Sequence, residues 1–269
     1  MRRRFGQTLR IGVAPGALAL AACARWGAAP TVLAELAIDS AAGAGALGAS
    51  LRQLLADTGV RNWPASVIVG DELARLWQVQ PPAGAARLSD LEGAAALRFQ
   101  ALYGEPASGW KMAAGWDAVH PFLAAALPLP LLTALEEGAR AQQLTLVGIT
   151  PQFVASYNRW RAALKSDAWF GQVHAGVLTL GASDGQRLQA VRAVALPEGA
   201  SADWLAGHVA REALRLNLAQ PARLQLAGPA PTAWHNSAGA LACTLLDAAH
   251  GHDAKLSDAA RLALTGIGA

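Results

Sequence analysis

The sequence predicts an α/β fold in which one strand-rich unit is used twice, and three observations carry that reading. A glycine-led apolar motif recurs at long range, as Gly16-Ala17-Leu18-Ala19-Leu20-Ala21-Ala22 and as Gly176-Val177-Leu178-Thr179-Leu180-Gly181-Ala182. Each copy is followed by the same order of strand, helix and strand patterns. The chain of 269 residues is 53% hydrophobic and 15% charged, which is long and apolar enough to bury a sizeable core and excludes disorder.

In the first copy, Val13 precedes the motif as Val173 does in the second. A further strand follows in each, over Thr31–Ile38 and Arg187–Leu196. Next comes a helix. Over about 46–57, Leu47, Leu51, Leu54 and Leu55 share one face. Over 202–216, Trp204, Leu205, His208, Val209, Glu212 and Leu216 recur at helical spacing, with Ser201 as the N-cap. Each copy closes on a proline-led strand, Pro64–Gly70 and Pro221–Gly228. Three strands joined by short turns form a meander, and the helix then crosses over to lay a parallel strand beside the first.

These patterns divide the chain into a first half at 1–70, an inserted α+β segment with a linking helix at 71–164, and a second half with a C-terminal tail at 165–269. The insertion opens with a strand over Leu73–Gln80. A helix capped by Ser89 runs to Tyr103, and a hairpin of Trp110–Ala114 and Phe122–Ala126 turns near Asp117. It closes with a helix over Leu131–Gln143, a strand over Leu144–Ile149 and a helix over Gln152–Leu164. Pro151 stands at the start of that helix, where proline is tolerated.

Bulk properties exclude several function classes. The formal net charge is +3 with no basic stripe beyond the first ten residues, so nucleic acid is not an expected partner. Two cysteines, Cys23 and Cys243, make no disulfide framework and fit a reducing compartment. Arg2, Arg3 and Arg4 precede an apolar run, Ile11–Ala22, and Leu20-Ala21-Ala22-Cys23 has the form of a bacterial lipoprotein box. The same run also reads as two strands about a Pro15-Gly16 turn. The second copy of the motif lies deep in the chain, which favours strands. No other apolar stretch is long enough to span a bilayer.

Motifs that carry chemistry are few. Gly181-Ala182-Ser183-Asp184-Gly185 fits a hydrolase elbow, but that motif demands a following helix, and an alternating strand follows instead. Asp184-Gly185 is a hairpin turn signal. His250, His252 and Asp253, with Cys243, have metal-ligating chemistry, yet their Ala/Gly-rich surroundings read as an exposed loop near a chain end. No metal is expected. Neither a phosphate-binding nor a dinucleotide glycine motif is present. Nine tryptophans fill either core or a partner-docking groove. Trp77, Phe99, Trp110 and Trp116 are the candidate anchors of such a groove.

The duplicated meander, helix and strand with an insertion in the first half resembles the actin-like, ribonuclease-H-like ATPase superfamily. Within it, the chain is similar to the type IV pilus protein PilM and the cytoplasmic part of the type II secretion protein GspL. The passage from Leu131 to Tyr157, with Gln143-Leu144-Thr145-Leu146-Val147-Gly148-Ile149-Thr150-Pro151-Gln152-Phe153 inside it, resembles the family's link between lobes. The resemblance implies two ribonuclease-H-like halves, each with an Asp-x-Gly at its first hairpin turn for Mg²⁺ and phosphate. The matching triplets are Ala14-Pro15-Gly16 and His174-Ala175-Gly176, and the final phosphate loop is reduced to Gly228-Pro229-Ala230-Pro231. The implied protein is a pseudo-ATPase with no cofactor, a cytoplasmic scaffold peripheral to the inner membrane, bound to a bitopic PilN-like assembly partner. The alternatives are an active actin-like or sugar-kinase-like phosphotransferase and an envelope protein lipid-anchored at Cys23.

Overall fold

The computed structural model describes residues 6–24, 29–41, 43–235, 241–247 and 256–267. Strands β1 (Gln7–Ala14), β2 (Ala17–Ala24) and β3 (Thr31–Ala37) form the first meander. Helix α1 (Ala44–Thr58) ends on Gly59, whose left-handed backbone (φ 64°) stops it. The chain then enters β4 (Pro64–Val69), parallel to β1 with Ile11 opposite Val67. Alternation along the strands puts Leu9, Ile11, Val13, Leu18 and Leu20 on one face, packed with Leu47, Leu51, Leu54, Leu55 and Trp63. The run that has the form of a leader is therefore β1 and β2, with Thr8 opposite Cys23. Cleavage before Cys23 would remove β1 and all but the last two residues of β2.

A small second layer follows: β5 (Arg75–Val79), α2 (Leu88–Tyr103), β6 (Trp110–Ala114) and β7 (Phe122–Pro128), with strand order β5-β7-β6. Helix α2 begins earlier than expected. Arg87 is its N-cap, and the Asp90 carboxylate accepts the N–H groups of Ala86 and Arg87, so Ser89 lies inside the helix.

The insertion is also shorter than the expected 71–164. Helix α3 (Leu129–Ala141) packs on α1, and β8 (Thr145–Pro151) pairs in parallel with β4. Glycine makes the helix contact close: a Cβ on Gly48 would lie 2.9 Å from that of Ala134, and one on Gly138 would lie 3.0 Å from Leu51 Cδ2. The first sheet is thus β3-β2-β1-β4-β8, and α3 and β8 return to the first half.

Helix α4 (Gln152–Trp160) leads into the second half: β9 (Ala168–His174), β10 (Val177–Ser183), β11 (Leu188–Ala195), α5 (Ala202–Leu216), β12 (Arg223–Ala227) and β13 (Ala242–Leu245). Its strand order, β11-β10-β9-β12-β13, reproduces the first sheet position for position. Ser201 caps α5 by accepting the Trp204 N–H at 3.1 Å. The Ser183–Gly185 turn feeds strand β11, so the hydrolase-elbow geometry is absent there. His250, His252 and Asp253 lie outside the described residues. Among those described, no cluster of three His, Cys, Asp or Glu side chains can hold a metal, and no helix is long and apolar enough to cross a membrane.

The chain end corrects the expected second half. Helix α6 (Asp258–Leu264) does not trail from it but lies on the free face of the first sheet, where Ala259, Ala260 and Leu262 join Ala14, Ala19 and Ile68 in a small core. Gly12 makes this possible, because a methyl there would collide with the Ala259 carbonyl oxygen and lie 2.7 Å from Ala263 N. Arg10 reaches across to donate to the carbonyls of Ala263 (3.1 Å) and Thr265. Those are C-terminal carbonyls of α6 that have no partner within the helix.

Candidate functional site at the junction of the two halves

Each meander is closed at its first hairpin in the same way. In each half the residue that follows the third strand closes the hairpin turn: Ile38 N–H donates to the Gly16 carbonyl at 2.9 Å, and Leu196 N–H donates to the Gly176 carbonyl at 2.7 Å. Gly176 has φ 74° and Ala175 has φ 45°, the pair of positive angles of a tight hairpin turn. Beside these turns lie the ends of β4 and β12. Gly70 N–H donates to the Val13 carbonyl at 2.9 Å. Gly228 sits against the Val173 carbonyl so closely that a side chain there would collide with it.

Titratable groups gather at this junction. Asp71 follows β4 and bridges the halves: Oδ1 accepts the Phe153 N–H of α4 at 3.0 Å, and Oδ2 accepts the Thr179 hydroxyl of β10 at 3.3 Å. Burial drives its carboxyl up to about 7, and the Glu72 charge pushes the same way against the two hydrogen bonds. Burial also raises Glu72, with a further push from Asp258. His174 is buried, with no hydrogen-bond partner on either ring nitrogen. Burial lowers its pKa, the Asp258 carboxylate opposes that, and Arg261 adds to it. Gln152 at the start of α4 is buried and donates to the Thr265 hydroxyl at 3.4 Å. Phe153 stacks on Tyr157 (5.9 Å between centroids) and packs against Phe170 of β9 (5.6 Å).

Two backbone donors at this junction are already held by carboxylates. The Gly228 N–H, in the residue that opens the reduced phosphate loop, donates to the Asp247 carboxylate at 2.8 Å. The N-terminus of α4 has the Asp71 carboxylate. Positions at which an external anion would be held therefore carry the chain's own carboxylates.

Of the residues singled out in the sequence, Ala14 packs with α6, whose Asp258 and Arg261 act on His174, while Gly16 and Gly176 sit in the hairpin turns of their own halves. The aromatic candidates lie elsewhere. Trp77 and Phe99 are buried in the core of the insertion, their rings 5.2 Å apart, which removes them as exposed anchors. Alternation explains the burial of Trp77, since it shares its strand face with Val79 toward α2. Trp110 and Trp116 are half-buried. Trp110 donates to Glu105 at 3.1 Å beneath the Arg75 guanidinium, and Trp116 packs on Phe122. The sequence reading missed Asp71, Gln152, Asp247 and the docking of α6. For α6 a signal was present, because Ser257-Asp258 before Ala259-Ala260-Arg261-Leu262 is a helix start, and the Ser257 hydroxyl does accept the Ala260 N–H at 3.1 Å.

No protein-family model matches the chain, and no curated protein sequence matches it. Solved structures do. A Bacteroides thetaiotaomicron protein of unknown function with an actin-like ATPase fold superposes with a TM-score of 0.58 at 11% identity, over 84% of each chain. The cytoplasmic domain of EpsL, an inner membrane component of the type II secretion system of Vibrio cholerae, superposes at 0.55 with 14% identity. That match covers 88% of this chain and 85% of EpsL's. This chain has the actin-like ATPase fold. A PilM–PilN type IV pilus biogenesis complex also matches, at a TM-score of 0.49 and 18% identity over 76% of this chain and 65% of the other. Within the actin-like ATPase fold, the two turn positions that the resemblance assigns to metal-handling aspartates are filled by a methyl side chain, Ala14, and a buried imidazole, His174.

Proposed function

We propose that the chain is a non-catalytic scaffold of a type IV pilus or type II secretion assembly platform, held at the inner membrane through a membrane-anchored partner. The observation that carries the reading is the chemistry of the junction. Neither hairpin offers a carboxylate at the turn, and the Gly228 N–H is taken by Asp247. Mg²⁺-nucleotide binding needs oxygen ligands for the metal and free N–H groups for the phosphates. The EpsL cytoplasmic domain, which shares the fold over most of both chains, supports the setting. Photo-crosslinking of the tagged chain on native inner membranes tests the proposal. The expected product is an adduct with a bitopic platform protein, and a chain that crosslinks to no membrane protein contradicts it.

One observation favours a phosphotransferase as the second reading. Asp71 is a carboxyl at the junction with a pKa of about 7, suited to a general base. Both of its oxygens are engaged by Phe153 and Thr179, which fits a structural bridge better. Steady ATP hydrolysis by the purified chain, abolished in Asp71→Asn, would establish the second reading over the first.

A further inference from the structure

The three sheets have six edges, at β3, β8, β11, β13, β5 and β6. Proteins protect edges with charges, brevity or a cover, since an unprotected edge is a template for another strand. Five of these edges are protected. β3 carries the exposed Glu35, β5 carries Arg75 and β6 carries Lys111. β13 has four residues. β11 carries Arg192 and lies against the insertion, where Gln78 donates to the Leu188 carbonyl at 2.8 Å.

β8 has no charge, seven residues and, among the described residues, no cover, although a register shift against β4 bulges it at Val147. Its sequence, Thr145-Leu146-Val147-Gly148-Ile149-Thr150-Pro151, contains no charge, and its one proline is the last residue, buried at the junction. It hydrogen-bonds to β4 on one side and, among the described residues, to no strand on the other. Val147 is 70% exposed, and a Cβ on Gly148 would meet nothing within 4 Å.

Two arginines flank the N-terminal end of β8. The segments leading into β4 and β8 run together there: Asn62 N–H donates to the Gln142 carbonyl (3.3 Å), and Thr145 N–H to that of Trp63 (3.0 Å). Arg61 and Arg140 stand exposed in these segments, and neither pairs with a carboxylate among the described residues.

We propose that β8 is a docking edge that accepts one more strand, from an extended, uncharged, largely apolar peptide with an acidic residue at the end that meets Arg61 and Arg140. The inference rests on the scaffold reading for its biological partner. The added strand draws affinity from the unpaired backbone groups of β8, while Val147 and the bare Gly148 give a ridge and a gap for its side chains. The two arginines fix which end of the peptide lies where.

The test uses the whole chain and two capped, fluorescein-labelled heptapeptides, Asp-Val-Thr-Val-Thr-Val-Thr and its reverse, measured by fluorescence anisotropy. One of the two should bind saturably, and Val147→Lys should weaken it by about tenfold or more with no loss of thermal stability. Leu214→Lys, at an exposed leucine on α5, should leave binding unchanged. Replacing the peptide's Asp by Lys should weaken binding several-fold, as about one kcal/mol of lost charge pairing would, and Arg61→Ala with Arg140→Ala should abolish that difference. No saturable binding of either peptide, or equal binding by Val147→Lys, overturns the proposal. So does reversible self-association in sedimentation velocity that Val147→Lys abolishes, because the edge then belongs to a second copy of the chain. A membrane partner captured equally by wild type and Val147→Lys overturns the docking edge and leaves the scaffold reading standing. Peptide binding without any membrane partner does the reverse.

Discussion

The two halves share a strand order, a helix crossover and a hairpin closure, yet they turn different side chains toward each other. Where the first sheet presents Gly12 and Ala14, the second presents Gln172 and His174 at the corresponding positions. The small pair lets α6 settle directly on the backbone of β1. In the second half Phe170 meets α4 through the rings of Phe153 and Tyr157, while His174 feels the Asp258 and Arg261 charges of α6. The backbone plan is thus preserved twice, while the turn positions to which the resemblance assigns aspartates hold Ala14 in one copy and His174 in the other.

The comparison breaks most easily at Gly12. Gly12→Val forces β1 and α6 apart and should cost more than about 4 kcal/mol or prevent folding, because the obstacle is backbone that cannot rotate away. Gln172→Ala, its counterpart, should cost no more than about 1 kcal/mol, since it removes an amide that donates to the Val173 carbonyl and leaves its own oxygen unpaired. Urea denaturation of the two variants measures the asymmetry.

The next effect sits at the bridge between the halves. Asp71 titrates near 7 in the folded chain against 3.8 as its ordinary value, so the folded state binds the proton more tightly. Its contribution to stability is fully present below about pH 4 and is lost as pH rises through 7, by at most about 4 kcal/mol. Asp71→Asn should flatten that decline and raise the melting temperature at pH 8. A variant less stable than wild type at pH 8 would show instead that the ionised bridge holds the halves together.

The smallest expected effects are at the caps. Ser257→Ala and Ser201→Ala each remove one helix-capping acceptor worth about 1 kcal/mol. The consequence should differ between them. α6 has only seven residues, so hydrogen exchange at Ala260–Leu262 should accelerate, whereas α5, with fifteen, should keep its interior protected.

Periodicity made the duplicated plan legible. The recurring Gly16 and Gly176 motifs, the leucine stripe of α1 and the Ser201 cap are local signals, and the elements they predicted formed. What local pattern cannot show is which sheet an element joins. The strand at Thr145–Pro151 read correctly as a strand but was placed in the insertion, because its pairing with β4 lies some eighty residues away in sequence. α6 was lost for a similar reason, since a seven-residue helix has little periodicity and its support comes from Gly12 and Arg10 at the other end of the chain. At the junction, Ala14 and His174 could be found by matching the repeat. Asp71 and Asp247 belong to no motif, and only the fold brings them to the donors they occupy.

The most direct test of the central claim is calorimetric titration of the purified chain with Mg-ATP. A junction with no turn carboxylate and with its Gly228 N–H held by Asp247 predicts no heat of binding up to millimolar nucleotide. Micromolar affinity would contradict it and return the junction to the nucleotide.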